Sequence, residues 1–481
     1  MSFSVKGMSE DGLVTANLLV DKLKRHDRTN RKRTRYYESK NMVRQVGGVI
    51  PPQYMNMALA MGWAAKPVDG LARRCNLERM FWTDGDLDSL GMQELEDSNF
   101  LYSELAQGRT DSLIHGVSYL ITTKGIADRG EPKALVQTKT ALEGTGEWNA
   151  RRRALDNFLS VTSWRDGRVD EFNLYLDGLT ITVERGSRGL EVVDQSEHKF
   201  GVPVDPQVYR PRAGQRMGRS RITRAVMSIA DQALRAVVRM EAHMDVYAIK
   251  KLILLGAEKS VFGDDQWQHI MGRVLALPDD DEAENGRAEV REVSAESPAP
   301  HLSQLSALVK MVGRESDLPD ADFALADMAV PTSAESYTAS RENLIAESEG
   351  AMGDWSPAIR RTVTRALAIQ NDLDEIPSEW ASIKDKWRSP LYLSRAAEAD
   401  AGAKQVAAAP EWLRETRTGL RLLGLSESDI DEAQAERRLN QGRLIVEAVA
   451  NGRLAVEGVV GDGDRGGGVG VAGGVSAVEV N

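Results

Sequence analysis

The most regular alternation of apolar and polar positions in the chain runs from Gly218 to Ala248, GRSRITRAVMSIADQALRAVVRMEAHMDVYA. At about 100° per residue, Ile222, Val226, Ile229, Ala233, Val237, Met240 and Met244 fall in a stripe about 80° wide. Arg224, Arg235 and Arg239 lie within about 60° of Arg221, on another side of the same rod. The spacing predicts one two-faced helix over 221–247, about 40 Å long at 1.5 Å per residue. Such a helix buries one flank and displays charge along another. Two arrangements satisfy it: a long surface helix covered by its own chain, or a helix packed against copies of itself in a ring or bundle. Periodicity alone leaves both open.

The pattern before this helix predicts helices first and strands after. Residues 9–45 open as a helix on Leu13, Leu18, Leu19 and Leu23, and Pro51-Pro52 requires loop. Residues 55–81 and 88–115 read as two more helices, the second closed by Gly116 as a left-handed cap. VSYLITTKG then alternates as a strand, and between 134 and 204 ALVQTKTAL, FLSVTSW, VDEFNLYL, LTITVERG and LEVVDQ follow, each bounded by Gly, Asp or Asn. The fold class is therefore α+β, with an antiparallel meander after the helices.

Beyond the long helix, KKLILLGAE reads as a strand and SVFGDDQWQHIMGRVLALP as a small helix then a strand. A helix is expected over about His301 to Arg314, a loop over SDLPDADFALADMAVP, and a helix in PTSAESYTASRENLIAESEGAM with Thr332 and Glu335 as a capping box. Ser356-Pro357 is expected to start another helix, serine as N-cap and proline in the first turn. Leu391 to about Val449 reads as several helices, and the tail from about Gly458 is too glycine-rich to fold.

Length and charge bound the function. The 481 residues suggest two or three domains, and a charged fraction of 28% with 42% apolar residues is that of a folded protein. A net charge of −11 argues against binding nucleic acid with the whole surface and leaves room for a local basic stripe. From Asp21 to Arg44 there are ten Lys or Arg against three Asp or Glu, which is either a solvated helix face or a contact for an anionic partner. One cysteine excludes an intrachain disulfide and a cysteine-based zinc site. MSFSVKGMSEDG lacks a signal pattern and no run approaches the roughly 18–20 apolar residues of a membrane span, so a soluble chain without a membrane partner is expected.

Enzyme chemistry finds little support. No Gly-x-x-x-x-Gly-Lys-Ser/Thr is present to cradle a nucleotide, and Gly461-Asp-Gly463-Asp-Arg-Gly466 lies in the glycine tail with no strand before it. The six histidines are scattered without His-Glu-x-x-His spacing, and Cys75 on an amphipathic segment reads as a small core residue. The acidic run Asp279, Asp280, Asp281, Glu282 and Glu284 could hold a divalent cation in a nuclease, but consecutive carboxylates on one loop rarely converge without partners from elsewhere. No catalytic, cofactor or metal residue is assigned.

The string PRAGQRMGRSRITRAVMSIADQALRAVVRMEAHMDVYA resembles the defining segment of tailed-bacteriophage portal proteins of the siphovirus type: a Pro-Arg turn, Gly-Arg-Ser, an Ile-Thr helix start and a long helix ending in Tyr-Ala. RTRYYESK, KPVDGLARRCNLE, LIHGVSYLITTKG, HKFGVPVD, TSAESYTASRENLIAESE and GLRLLGLSESDIDEA follow the family's order, so the resemblance spans roughly residues 30–430 and leaves out the glycine tail.

The resemblance implies a dodecameric ring at the unique capsid vertex through which double-stranded DNA is packaged and ejected. It implies docking of the terminase large subunit and of head-tail connector or adaptor proteins, contacts with major capsid and scaffolding proteins, and residence in the virion after assembly in the host cytoplasm. The corresponding fold is an α+β wing (1–218), stem helices (219–247 and 301–316), a small α/β clip (248–300), a tunnel loop (317–332), wing or tunnel helices (333–385), a helical crown (386–455) and a disordered tail (456–481).

In that setting Ile222, Val226, Ile229, Val237, Met240 and Met244 pack the stem, while Arg221, Arg224, Arg235 and Arg239 face an acidic neighbour or the DNA. Phosphate attraction favours DNA, yet several arginines per subunit around a ring would hold a duplex that has to slide. The clip's acidic run would repel DNA, meet a basic adaptor, or form a solvated hairpin loop. Asp320, Asp322 and Asp327 would keep the tunnel loop from adhering to phosphate, or are simply loop-favouring residues. The alternatives are a metal-dependent nuclease of the same packaging machinery and an interaction scaffold without a channel.

Overall fold

The computed structural model describes residues 3–41, 61–126, 128, 130–247, 251–255, 274–277, 289–293, 296–323, 339–391, 395–414, 416–425 and 427–450. The chain divides into two units, Met1–Pro390 and Leu391–Asn481.

The meander forms as its alternation requires. Strands β5 (Gly144–Asn149), β6 (Ala154–Arg165), β7 (Arg168–Leu176), β8 (Leu179–Gly186) and β9 (Gly189–Glu197) pair antiparallel in succession, and the short β1 (Val5–Lys6) adds in parallel at the β9 edge. The β6–β7 hairpin closes on Asp166-Gly167, both at positive φ (51° and 72°), the conformation a two-residue turn needs to match strand twist. One sheet face is covered by α1 (Glu10–Tyr37), whose Ala16, Leu19, Val20 and Leu23, one turn apart, meet Leu159, Phe172, Leu174 and Val183. Ser9 caps α1 by accepting from the Gly12 amide at 3.2 Å.

The second sheet, β10 (Val204–Val208), β3 (Val117–Lys124) and β4 (Ala134–Thr140), is antiparallel, and its central strand is buried over six successive residues. Helices α2 (Lys66–Ala72), α3 (Met92–Asn99), α4 (Leu101–His115) and α7 (Glu342–Gln370) share the main core with the start of α5 (Arg224–Tyr247) and with α6 (Ala299–Ser316). Gly116, φ 103°, ends α4 in the left-handed cap expected of it.

Four expectations are corrected. Residues 77–82 are strand β2 (Leu77–Trp82), paired antiparallel with β14 (Ile383–Trp387) some 300 residues away, so no local pattern could reveal it. The helix expected over 88–115 is broken at Phe100, which holds φ 49° between α3 and α4. Ser356-Pro357 does not begin a helix: α7 runs through it for 29 residues. Pro357 offers no amide to the preceding turn, and Ser356 Oγ donates to the Met352 carbonyl at 2.8 Å while Trp355, Ile359 and Val363 anchor the buried face on both sides. Finally, α5 begins at Arg224 rather than 219–221, because Thr223 caps it, accepting from the Val226 amide at 3.2 Å.

Between α5 and α6 lie three strands, β11 (Lys251–Leu255) parallel to β12 (Val274–Leu277) and antiparallel to β13 (Glu289–Val293). β13 was hidden in sequence by its acidic composition. The acidic run Asp279 to Glu284, the small helix expected before β12, Asp327, the Thr332–Glu335 box and the glycine tail lie outside the described residues.

The second unit is helical, as expected: α8 (Arg395–Ala408), α9 (Glu411–Arg414), α10 (Arg417–Leu422) and α11 (Glu427–Ala450). Glycine at 402 lets α8 approach α10, since a Cβ there would sit 1.9 Å from the Leu422 carbonyl oxygen.

Candidate functional site

Helices α5 and α6 lie side by side and share one apolar interior. Ile222, Val226, Ile229 and Ala233 are covered by this chain, in one cluster with Leu305, Leu308, Val309 and Val312 of α6. Met227, Ala230, Leu234 and Val238 are buried too, so the covered face at the root is wider than the predicted stripe. Further along, the cover opens. Val237 and Met240 are half-buried and Met244 is 44% exposed, while at the same end α6 exposes Leu302 (39%). At this end the His243 and His301 rings meet edge-on, centroids 5.2 Å apart, and burial, with the charges of His243 and Arg239, lowers the His301 pKa.

The arginines separate. Arg224 is exposed and Arg235 and Arg239 are half-exposed along α5. Arg221 is not part of that face: it precedes the helix and is 6% exposed. Its position follows from two glycines. Gly116 and Gly218, φ 103° and 66°, let the α4–β3 turn and the segment before α5 cross so closely that a Cβ on Gly218 would meet the Tyr209 and Gly116 carbonyl oxygens at 2.4 and 2.5 Å. The Tyr209 amide donates to the Gly116 carbonyl (3.0 Å), the Arg219 amide to the Tyr209 carbonyl (3.0 Å) and the Arg221 amide to the Leu113 carbonyl (2.8 Å). Ser220 Oγ donates to the Ile114 carbonyl at 2.5 Å, which leaves Arg221 aimed inward.

The Arg221 guanidinium then gathers four elements. Nε donates to the Pro67 carbonyl in α2 (2.5 Å), Nη1 to the Tyr209 hydroxyl (2.9 Å) and Nη2 to the Ser316 carbonyl at the last turn of α6 (2.7 Å). Glu347 of α7 stands 3.9 Å from Nη1, accepts from the Tyr209 hydroxyl, and is paired with Arg210. Only a planar fork with several fixed donors reaches three acceptors in three directions, and a cation suits the carbonyl end of α6. Burial, with the nearby Glu347 carboxylate, pushes the Tyr209 hydroxyl up to about 12, although Arg221 pulls the other way. The hydroxyl therefore stays protonated and donates to Glu347. Periodicity placed Arg221 on the helix because the pattern continues one turn upstream; Thr223 before Arg-Ala-Val was the available signal for the true start.

Other polar ties converge on the same root. Tyr36 of α1 donates to Asp231 of α5 at 2.7 Å and Tyr37 to Asp69 of α2 at 3.0 Å, which gives the Arg-Tyr-Tyr segment a structural role the sequence did not disclose. The basic stretch around it is partly turned inward, with Lys22 Nζ on the Gly146 carbonyl (2.6 Å) and Arg33 on the His115 carbonyl (2.9 Å). Asp205 of β10 is buried and paired with Arg365 of α7 at 2.7 Å. Of the loop acids, Asp320 is exposed, while Asp322 makes a two-pronged ion pair with Arg341 (2.7 and 3.0 Å), fixing the loop to the start of α7. Cys75 is fully buried, its thiol pushed up to about 12 by burial, as suits a core residue.

Among the described residues no three His, Cys, Asp or Glu side chains converge to hold a metal ion, and no helix is long and apolar enough to cross a membrane. The site is thus a helix pair rooted in a buried polar junction, with an apolar flank open at its far end.

Comparison with known proteins bears on what such a pair serves. A family model described as phage portal protein, SPP1 Gp6-like, matches residues 18–442. Two relatives named portal protein, from Mycobacterium phage D29 and Mycobacterium phage L5, are 23% and 24% identical over 420 and 424 residues, each alignment covering 84% of both chains. Among solved structures, a chain of the virion of a native gene transfer agent particle is 14% identical, with a TM-score of 0.38 over 83% of this chain and 99% of that one. A chain from the neck of that type of particle is 13% identical, with a TM-score of 0.39 over 80% and 97%.

Proposed function

The chain belongs to the phage portal protein family of the SPP1 Gp6-like type, and from that premise we propose that it closes into a dodecameric ring at one capsid vertex and carries double-stranded DNA through its centre. Portal proteins are structural components of the phage particle rather than enzymes. In this reading residues 1–218 are the wing, 219–247 and 301–316, which hold α5 and most of α6, the stem, 248–300 with its three strands the clip, 317–332 the tunnel loop, 333–385 wing or tunnel helices and 386–455 the crown. The terminase large subunit and a head-tail connector dock in turn, capsid and scaffolding proteins surround the wing, and assembly proceeds in the host cytoplasm.

The observation that carries the ring is the change of cover along the helix pair. Near the root most of the apolar face is covered by its own chain; beyond Val238, Met240 and Met244 of α5 and Leu302 of α6 lack full cover. A second copy supplies what is missing, since apolar area gains about 25 cal/mol per Å² on leaving water. Arg224, Arg235 and Arg239 then face an acidic neighbour or the channel.

Imaging of the purified protein down its symmetry axis tests the reading. A closed ring with a central hole wide enough for a duplex is expected. Compact monomers of 52.8 kDa under assembly conditions would overturn it.

A further inference from the structure

One cavity lies away from the helix pair's open flank, where α1 crosses the meander and the turn that leads into Gly218. Its volume is about 270 Å³, far above the roughly 10–15 Å³ a single water requires. Lys22, His26 and Arg33 reach it from one stripe of α1, His115 from the end of α4, and Gln215 from the turn. Among the described residues no carboxylate lines it, in a chain with eleven more acids than bases.

The wall is electrostatically one-sided. Arg33 is half-buried, and among the described residues its hydrogen bond goes to a neutral group, the His115 carbonyl at 2.9 Å; burial alone lowers its pKa. Lys22 rests on the Gly146 carbonyl at 2.6 Å; burial lowers its pKa, against the pull of the Glu147 charge. His115 is 6% exposed, and its Nδ1 has no hydrogen-bond partner among the described residues. Burial and the charge of Arg33 lower its pKa to about 4, so the ring is neutral at pH 7 and Nδ1 can carry a hydrogen to donate. A half-buried cation whose hydrogen bond among the described residues is to a carbonyl oxygen, beside a buried ring nitrogen without a partner, is a costly arrangement that an anion would relieve.

We propose that this cavity binds an oxyanion of the phosphate or carboxylate class, held by Arg33 and Lys22 and by the unpartnered nitrogen of His115. The anion joins α1 to the turn preceding Gly218, and so to the segment that aims Arg221. Its source is either a free anion or a carboxylate side chain of a second copy.

Titration calorimetry of the full chain with inorganic phosphate, at constant ionic strength in chloride, tests this. Saturable binding is expected, weakened at least tenfold in Arg33→Gln and in Lys22→Met. Arg33→Gln keeps a donor for the His115 carbonyl, so without phosphate it should melt no lower than the parent, and the parent should overtake it as phosphate is added. If the assembled ring no longer binds phosphate while the dissociated chain does, a neighbour's carboxylate is the occupant; equal binding by both identifies a free anion. Absence of saturable binding in both forms would overturn the proposal. So would an Arg33→Gln melting loss of the same size with and without phosphate, which would make the arginine a purely structural contact.

Discussion

Replacing Arg221 by methionine keeps much of the aliphatic length of the side chain and removes the guanidinium. The Pro67 and Ser316 carbonyl oxygens then lose the donors at 2.5 and 2.7 Å, and the Tyr209 hydroxyl loses the one at 2.9 Å. A buried acceptor left without its partner costs about 1–3 kcal/mol, and Glu347 keeps Arg210, so no bare carboxylate remains. Two stranded carbonyls give about 2–6 kcal/mol, a range that includes the roughly 3–5 kcal/mol of breaking a buried ion pair. Arg224→Met, on an exposed residue of the same helix, should stay within about 0.5 kcal/mol. The assay is chemical denaturation of the unassembled chain, with hydrogen exchange read at residues 219–223. A double-mutant cycle with Glu347→Gln should show coupling of about 0.5–3 kcal/mol. If Arg221→Met left stability within about 0.5 kcal/mol of the parent while abolishing assembly, Arg221 would be a subunit contact after all, and the buried junction would be refuted.

Further outcomes can be measured. Met240→Glu or Met244→Glu should weaken assembly while leaving the monomer's melting point near that of the parent, as sedimentation and thermal unfolding would register; undiminished assembly would deny the open flank its partner. His115 titrates at about 4 folded against 6.5 unfolded, so the unfolded chain binds the extra proton first. Its share of stability is complete above pH 6.5 and falls away as pH drops towards 4, about 3 kcal/mol in all, and His115→Gln in phosphate-free buffer should flatten that slope of the unfolding free energy. Tyr209, raised from 10 to about 12, has the opposite dependence: stability falls as pH rises from 10 towards 12, and Tyr209→Phe should remove about one proton from that alkaline slope. Pro357→Ala restores an amide to the middle of α7 at an exposed position and should raise stability by about 1 kcal/mol or more in denaturant titration.

The meander was legible because β7 and β8 alternate and end on Asp-Gly or Gly turns, all local properties. Strand β5 was not among the expected strands: glycine is disfavoured in strands, yet a Cβ on Gly144 would meet the Phe158 ring at 2.5 Å and one on Gly146 the Asn157 carbonyl oxygen at 2.4 Å. β2 depends on β14, and α7 crosses Pro357 on the strength of tertiary burial, both beyond the reach of a sequence window. At the functional site, periodicity found the helix and its stripe, and motif order found the family. It misjudged where the helix starts, and with that the role of Arg221, because an angular pattern continues smoothly across a cap that only hydrogen bonding defines.

The junction at Arg221 also acts as a fulcrum. The 24 residues of α5 form an arm of about 36 Å, so a tilt of about 5° at the root sweeps the far end through about 3 Å. Because one guanidinium grips α2, the Tyr209 segment and the end of α6 together, such a swing either strips its hydrogen bonds or drags those neighbours along. Displacement at one extremity of the pair is thereby reported to the body of the subunit through a single charged side chain.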